Sequence, residues 1–401
     1  MLLLLATPAA ILHLDAVQRR LASVVSNELK NNIQIPFEVS SININFPNKL
    51  TIDSILINDH IGDTIASIPR ISASFDIIPF IRKGNIKIHT IKLSAPDIRL
   101  SREDSLSPLN IQFILDKLST NDSTSGKTPD IHINQIHIYD GHISYHVLSE
   151  EEKDNFDPSN IEINNLQANI ALRAITNDSL SLYIRKIAFD EKSGLAIKRL
   201  KAEINANLHN AHINRLYIAT RNSNISSNGI DIKFPEKATN SKPFFSGELQ
   251  SNKLSIKEFA PLMPQLSHMN SNLKLSTKFT GSDNSINIKK FNISSDNNHI
   301  NLNLSGGINN ISTKKPQYEL KIKELSATPD FITSVYAVAT NGAETPRELT
   351  NLGRIHIKGN LKGSGKQANG SAEITSEAGY ITRSEERRVG KECRSRWSPY
   401  H

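Results

Sequence analysis

IHINQIHIYDGHISY, residues Ile131–Tyr145, is the stretch on which the reading of the fold turns. Ile131, Ile133, Ile136 and Ile138 alternate with polar residues, and Ile143 and Tyr145 resume the alternation after Asp140-Gly141. Period two is the mark of a strand with one apolar and one wet face. Asp-Gly between two such runs predicts a two-residue hairpin, pairing Ile138 with Ile143 and Ile136 with Tyr145.

The same texture spreads in both directions. Ile42, Ile44 and Phe46 carry it upstream, as do Ile86 and Ile88, then Ile91 and Leu93. Downstream it returns at Ile161 and Ile163, then Leu166, Ala168, Ile170 and Leu172, and again at Ile300, Leu302 and Leu304. Several stretches shift phase by one residue in mid-strand. Such a shift keeps one apolar face only where a bulge absorbs the extra residue. Asn228–Gly229 and Gly281–Asn284 read as further turns. The fold class expected is mainly β, a long antiparallel sheet of about two dozen strands. Helices are few. Pro108–Leu118 has Ser107 as its cap, Ser255–Leu266 opens on a Ser255/Glu258 capping box, and Asp330–Ala339 is the third.

One apolar face of that extent has to be covered by a second sheet, by closure into a solenoid, or by an apolar ligand. Three short helices are too few, and aromatics, at 6%, are scarce beside Ile and Leu. A continuous aliphatic trough suits acyl chains, which need no directional contacts. The candidate lining is Ile86, Ile88, Ile131, Ile133, Ile136, Ile138, Ile143, Ile161, Ile163, Ile170, Leu172, Ile300, Leu302 and Leu304.

Residues 1–14 are mostly apolar, with Leu2, Leu3, Leu4, Leu5, Ile11 and Leu12 as the membrane-anchoring side chains. The run is shorter than a bilayer span and has no basic residue before it. It reads either as a signal peptide cleaved within Ala6–Ala10 or, the preferred reading, as the second half of a signal anchor. An amphipathic helix over 15–31 follows, with Val17, Leu21, Val24, Val25 and Leu29 on one face. The β-groove is placed at 40–382. The net charge of +7 is not concentrated in a basic, aromatic stripe, so nucleic acid is not expected as a partner.

No catalytic motif is found, and the protein is not expected to be an enzyme or to need a cofactor. Gly363–Lys366 lacks the upstream Gly and following Ser or Thr of a phosphate-binding loop and reads as a glycine turn. His132, His137, His142 and His146 cluster in sequence, but exposed histidines on a wet strand face are the commoner case than a metal site. Residues 383–401 hold the single Cys and single Trp of the chain. Arg383–Arg387 back-translates to AGA-TCG-GAA-GAG-CGT, the start of a common sequencing-library adapter. The segment is therefore expected to be a non-native, unstructured tail, leaving an unpaired strand edge near Thr382.

The order of features over Asp15–Arg102 carries a resemblance. DAVQRRLASVVSNEL is followed by IPFEVSSININF, the DHIGDT turn at Asp59–Thr64, FDIIPFIRKG and the returning IKIHTIKLSAPDIRL. Later, LGRIHIKGNL at Leu352–Leu361, with Gly363 and Gly379, adds glycine-marked strands. This resembles the amino-terminal part of TamB-like proteins of the AsmA superfamily, in the form found in Bacteroidetes. The resemblance implies an inner-membrane anchor and a periplasmic β-groove, a long curled antiparallel sheet with a taco-like groove. It also implies phospholipid acyl chains as cargo moving toward the outer membrane, or support of outer-membrane protein assembly. A barrel partner would be engaged through a carboxy-terminal domain not seen here. The rival reading is a structural or adhesive β-solenoid whose apolar face packs on itself.

Overall fold

The computed structural model describes residues 37–45, 48–59, 62–76, 87–119, 132–175, 179–235, 242–365 and 367–388. The anchor residues, the helix over 15–31, Ile86, Ile131 and residues 389–401 lie outside the described residues. The fold is mainly β, with twenty strands in one large mixed sheet. Contacts cluster into two compact units, Met1–Ile204 with Ile218–Arg221, and Asn205–Tyr217 with Asn222–His401. The sequence texture had shown no division between them.

In the first unit, β1 (Phe37–Asn45), β2 (Lys49–Asn58) and β3 (Thr64–Phe75) form an antiparallel meander. Two in-line segments, β4 (Lys87–Ser94) and β5 (Asp97–Arg102), both pair with β3. Next come helix α1 (Gln112–Ser119) and β6 (His132–Val147). Strand β6 runs parallel to both β4 and β5, so the sheet is mixed rather than wholly antiparallel. A parallel partner needs a crossover, and α1 lies within it. The helix starts later than Pro108 because Asn110 is held to β5: its N–H donates to Ser101 O at 2.8 Å and its side chain to Arg99 O at 3.0 Å. Strands β7 (Asn160–Ile175) and β8 (Ser179–Glu191) continue antiparallel; β9 (Ala196–Asn207) follows, and its last residues, with most of β10 (Asn210–Ala219), belong to the second unit.

The predicted hairpin at Asp140-Gly141 does not form. Both halves belong to β6, so Ile138 and Ile143 follow one another along a single strand. Asp140 takes a left-handed φ of 51° and resets the alternation by one residue. Its neighbours do the same on a line across the strands: Ser54 in β2 (φ 54°), Ala95 between β4 and β5 (φ 46°) and Asn165 in β7 (φ 55°). In β3 the line falls at Pro69, which faces Ser54 between the pairs Asp53↔Arg70 and Ile55↔Ile68. Proline has no N–H for the ladder, and an interruption is where a strand tolerates it. Across the line, Ala95 N donates to Tyr139 O at 2.8 Å and His142 N to Pro96 O at 2.7 Å. The crease is densely packed: Pro96 is fully buried. A Cβ on Gly141 would lie 3.1 Å from Ile138 Cγ2, 3.2 Å from Pro96 Cγ and 3.3 Å from Leu166 Cβ. The expected phase shift between Ile163 and Leu166 is absorbed at this crease, at Asn165, whereas the one between Ile88 and Ile91 falls at a separate bulge, where His89 is the extra residue against Ser74 and Phe75.

In the second unit, β11 (Asn224–Ser227) and β12 (Ile230–Lys233) lie in line along β13 (Phe244–Ser255), so Asn228–Gly229 interrupts a strand and does not turn the chain. An antiparallel meander follows: β14 (Asn272–Ser282), β15 (Ser285–Ser295), β16 (Ile300–Asn309) and β17 (Gln317–Ala327). The turn expected at Gly281–Asn284 joins β14 to β15, through Ser282↔Ser285. Helices α2 (Pro329–Thr340) and α3 (Arg347–Thr350) lead to β18 (Ile355–Ser364), β19 (Gln367–Ser376) and β20 (Gly379–Arg388). The helix expected over Ser255–Leu266 is instead two 3-10 turns, Ile256–Phe259 and Pro264–His268. Pro264 opens the second turn, and Glu258 does not return to Ser255 but accepts from Asn222 N at 3.0 Å and Ser223 Oγ at 2.7 Å. Arg383–Arg388, expected to be unstructured, pair with β19 as far as Gln367↔Arg388. The backbone row of an open edge accepts any extended chain, whatever its side chains.

The crease makes opposite demands at adjacent positions. Asp140→Gly removes a left-handed non-glycine residue and is expected to change stability by less than ~1 kcal/mol. Gly141→Val overfills the contact with Pro96 and Leu166 and is expected to cost ~1–3 kcal/mol. Urea midpoints of the two variants measure both; equal effects would remove the crease as a packing constraint.

Candidate functional site

Register converts the alternation into rows that run across the strands. In the first unit one row is Ile42, Ile52, Ile71, Leu93, Ile138, Ala168 and Ile187. The next is Ile44, Leu50, Ala73, Ile91, Ile136, Ile170 and Ile184. Beyond the crease the apolar row becomes Phe37, Ile57, Ala66, Ile98, Ile143 and Ile163, ending at Glu191. Ile88 pairs with Ile133, Ile161 with Tyr145 and Leu172 with Leu182. The predicted lining residues of this unit that are described therefore belong to shared apolar rows, and all are half-buried.

The intervening rows are hydrophilic. Asn43, Thr51, Ser72, Lys92, His137, Asn169 and Lys186 form one of them. The histidines of β6 are spread along this strand rather than gathered. His137 stacks on Tyr139 with centroids 6.1 Å apart. Its pKa is lowered by burial and by the charges of Lys92 and Arg185. His146 Nδ1 lies 3.1 Å from Asn160 Oδ1. His142 Nδ1 lies 2.7 Å from Asp97 Oδ1, and Arg99 Nη2 donates to Asp97 Oδ2 at 2.7 Å. Burial raises the Asp97 pKa, but the hydrogen bonds from Arg99 and His142 outweigh it and hold the carboxyl below its ordinary value. Among the described residues no group of three His, Cys, Asp or Glu side chains is placed to hold a metal.

The second unit has the wider apolar face. Leu254, Leu273, Ser295, Ile300, Ala327 and Ile355 form the row nearest the helices. Leu275, Ile293, Leu302, Leu325, Ile357 and Ile374 form the next. Ile256 and Phe259 of the first 3-10 turn, with Phe331 and Ile332 of α2, pack on this end and close it into a core. Ile300, one of the predicted lining residues, is 3% exposed here and belongs to that core. Leu302 packs against it.

Further along the strands nothing described packs on the face. Leu249, Thr277, Phe291, Leu304, Ile322, Gly359 and Ala372 make a third row. Gly247, Phe279, Ile288, Gly306, Leu320, Leu361 and Gly370 make the fourth. Ile286 and Ile308 pair in the fifth. Leu361 is 38% exposed and Ile308 44%. Only bulges keep these rows on one face: Lys289 is the extra residue in β15, against Lys278↔Lys290 and Phe279↔Ile288, and Lys323 the extra one in β17. Phe291 and Ile322 are one residue out of phase with Ile288 and Leu325, and the bulges bring all four onto one face. The GSGK stretch ends β18, where Gly365 turns the chain with φ 57° and donates to Pro316 O at 2.9 Å.

No helix of the described residues is long and apolar enough to cross a membrane. Comparison with protein-family models, with curated proteins and with solved structures gives no match.

Two measurements separate core from open face. Leu273→Ala, beneath the helices, is expected to cost ~2–4 kcal/mol, while Leu361→Asn stays within ~0.5 kcal/mol, both read as urea midpoints. Asp97 gives the acid dependence. With its folded pKa below the ordinary 3.8, the stability it adds is complete above that value and is lost as pH falls through the folded one. Asp97→Asn is expected to lower the neutral-pH melting temperature and to flatten its fall below about pH 4.

Proposed function

We propose that the chain is a non-catalytic, membrane-anchored carrier whose apolar sheet face shields the acyl tails of phospholipids in transit between membranes. The observation that carries this reading is the exposure of Leu361 in the fourth apolar row of the second unit and of Ile286 and Ile308 in the fifth. The interior of a closed, self-packed solenoid would bury Ile286, Ile308 and Leu361. Here the helices and 3-10 turns cover one end of the rows and leave those side chains open. A face built from Ile, Leu, Phe and Gly offers dispersion contact without directional demands, which suits tails that must slide. The anchor over residues 1–14 and a periplasmic location follow from the sequence pattern and the family resemblance, and belong to the same proposal.

A photo-crosslinking residue placed at Ile308 or Leu361, and in the first unit at Ile133 or Ile170, is expected to yield phospholipid adducts in cells. The same probe at Lys92, in the hydrophilic row of the first unit, is expected to yield none. Protein adducts alone at all four apolar positions would sink the carrier reading and favour an adhesive or structural role.

A further inference from the structure

The hydrophilic side of the second unit has a feature that the carrier reading does not use. A recess of about 670 Å³ lies over the middle of β15 to β18. Its lining is mostly hydrophilic: Asn287, Lys289, Asn309, Gln317, Glu319 and Lys362 among others. Part of its floor is bare backbone at Gly307, in register with Asn287 and Glu319, where a Cβ would meet Ile286 O at 2.9 Å.

Charge around the recess is mostly positive. Lys278 and Lys290 are direct cross-strand partners, an arrangement that costs stability, and the acid beside them in register is Glu248, across from Lys278 on β13. Lys289 adjoins Lys290 in the bulge and points the chain's extra cation at the recess lining. Lys321 lies two residues from Glu319 on the same side of β17. Among the described residues none of these four lysines has an ion pair with an acidic side chain. Lys362 has one, to Glu319 Oε1 at 2.7 Å, and Glu319 is the one acid in the lining.

We propose that this recess binds a phosphate-bearing anion, with Lys289 and Lys362 as the contacting cations and Asn287, Asn309 and Gln317 as amide donors. Lys278, Lys290 and Lys321 supply field rather than contact. Glu319 limits affinity, because it holds Lys362 and repels the anion. The site is open to solvent, so binding is weak and falls steeply with salt. A free phosphate compound and a lipid headgroup offer the same chemistry to it. The inference stands apart from the carrier reading, since it concerns the opposite face.

The test is titration calorimetry of the full chain with inorganic pyrophosphate at low salt, alongside flotation with vesicles of phosphatidylglycerol or of phosphatidylcholine alone. Pyrophosphate binding without flotation assigns the site to free anions; flotation with phosphatidylglycerol alone assigns it to headgroups. Removing two of the contacting charges in Lys289→Gln/Lys362→Gln is expected to weaken whichever binding is seen by about tenfold or more. Glu319→Gln is expected to strengthen it several-fold, a gain that a structural role for Glu319 would not give. Circular dichroism checks that each variant keeps its sheet. Absence of both kinds of binding, or binding that neither variant changes, overturns the proposal.

Discussion

A β-strand keeps one apolar face only while its side chains alternate without a slip, and every other feature of this protein depends on how slips are handled. A single extra residue turns all that follow to the other side of the sheet. In the first unit the slips of Ser54, Ala95, Asp140 and Asn165 fall on one line, so neighbouring strands change phase together and their apolar rows still meet. Left-handed non-glycine residues cost about 1 kcal/mol or more each. The packed contacts of Pro96, Ile138 and Leu166 around Gly141 offset that cost.

The second unit solves the same problem differently. Its slips are bulges on β13, β15 and β17, with unbulged β14 and β16 between them. Each bulge adds a residue that has to face water, and in β15 and β17 that residue is a lysine. Continuity of the apolar rows and accumulation of positive charge on the reverse side are thus two results of one backbone device. Helical cover is confined to one end, where the loops after β13 and β17 fold back over Leu254, Leu273, Ile300 and Ala327.

Most of the strands were legible from period-two alternation, as was the aliphatic character of one face. Helix α2 was legible too, because its apolar spacing and Pro329 at the first turn agree. Topology was not. Asp140-Gly141 and Asn228-Gly229 have the residue chemistry of a hairpin turn, yet each interrupts a strand instead, Asp140 with a left-handed φ and Asn228-Gly229 without one. What distinguishes the two is whether the following segment pairs with the preceding one or with a strand remote in sequence. Here β6 found β4 and β5 across a crossover, and no local signal specifies that. The capping-box pattern at Ser255 misled for a related reason: Glu258 had partners at Asn222 and Ser223, remote in sequence. Ile300 shows the limit for the candidate site, since alternation identifies a face but not which part of it a helix will cover.

The division between faces also constrains what each can bind. One residue along a strand exchanges Leu361 for Lys362, or Ile288 for Lys289, so apolar and cationic surfaces are separated by the thickness of the backbone alone. A substitution that alters phase in β15 would therefore not damage one surface in isolation. It would carry lysine into the apolar rows and isoleucine into the basic recess at once. Burying an unpaired charge among aliphatic side chains is expensive, and that penalty fixes the register of the meander as firmly as apolar packing does. The charged face is thus part of what specifies the fold, and its lysines hold their register whether or not an anion is bound.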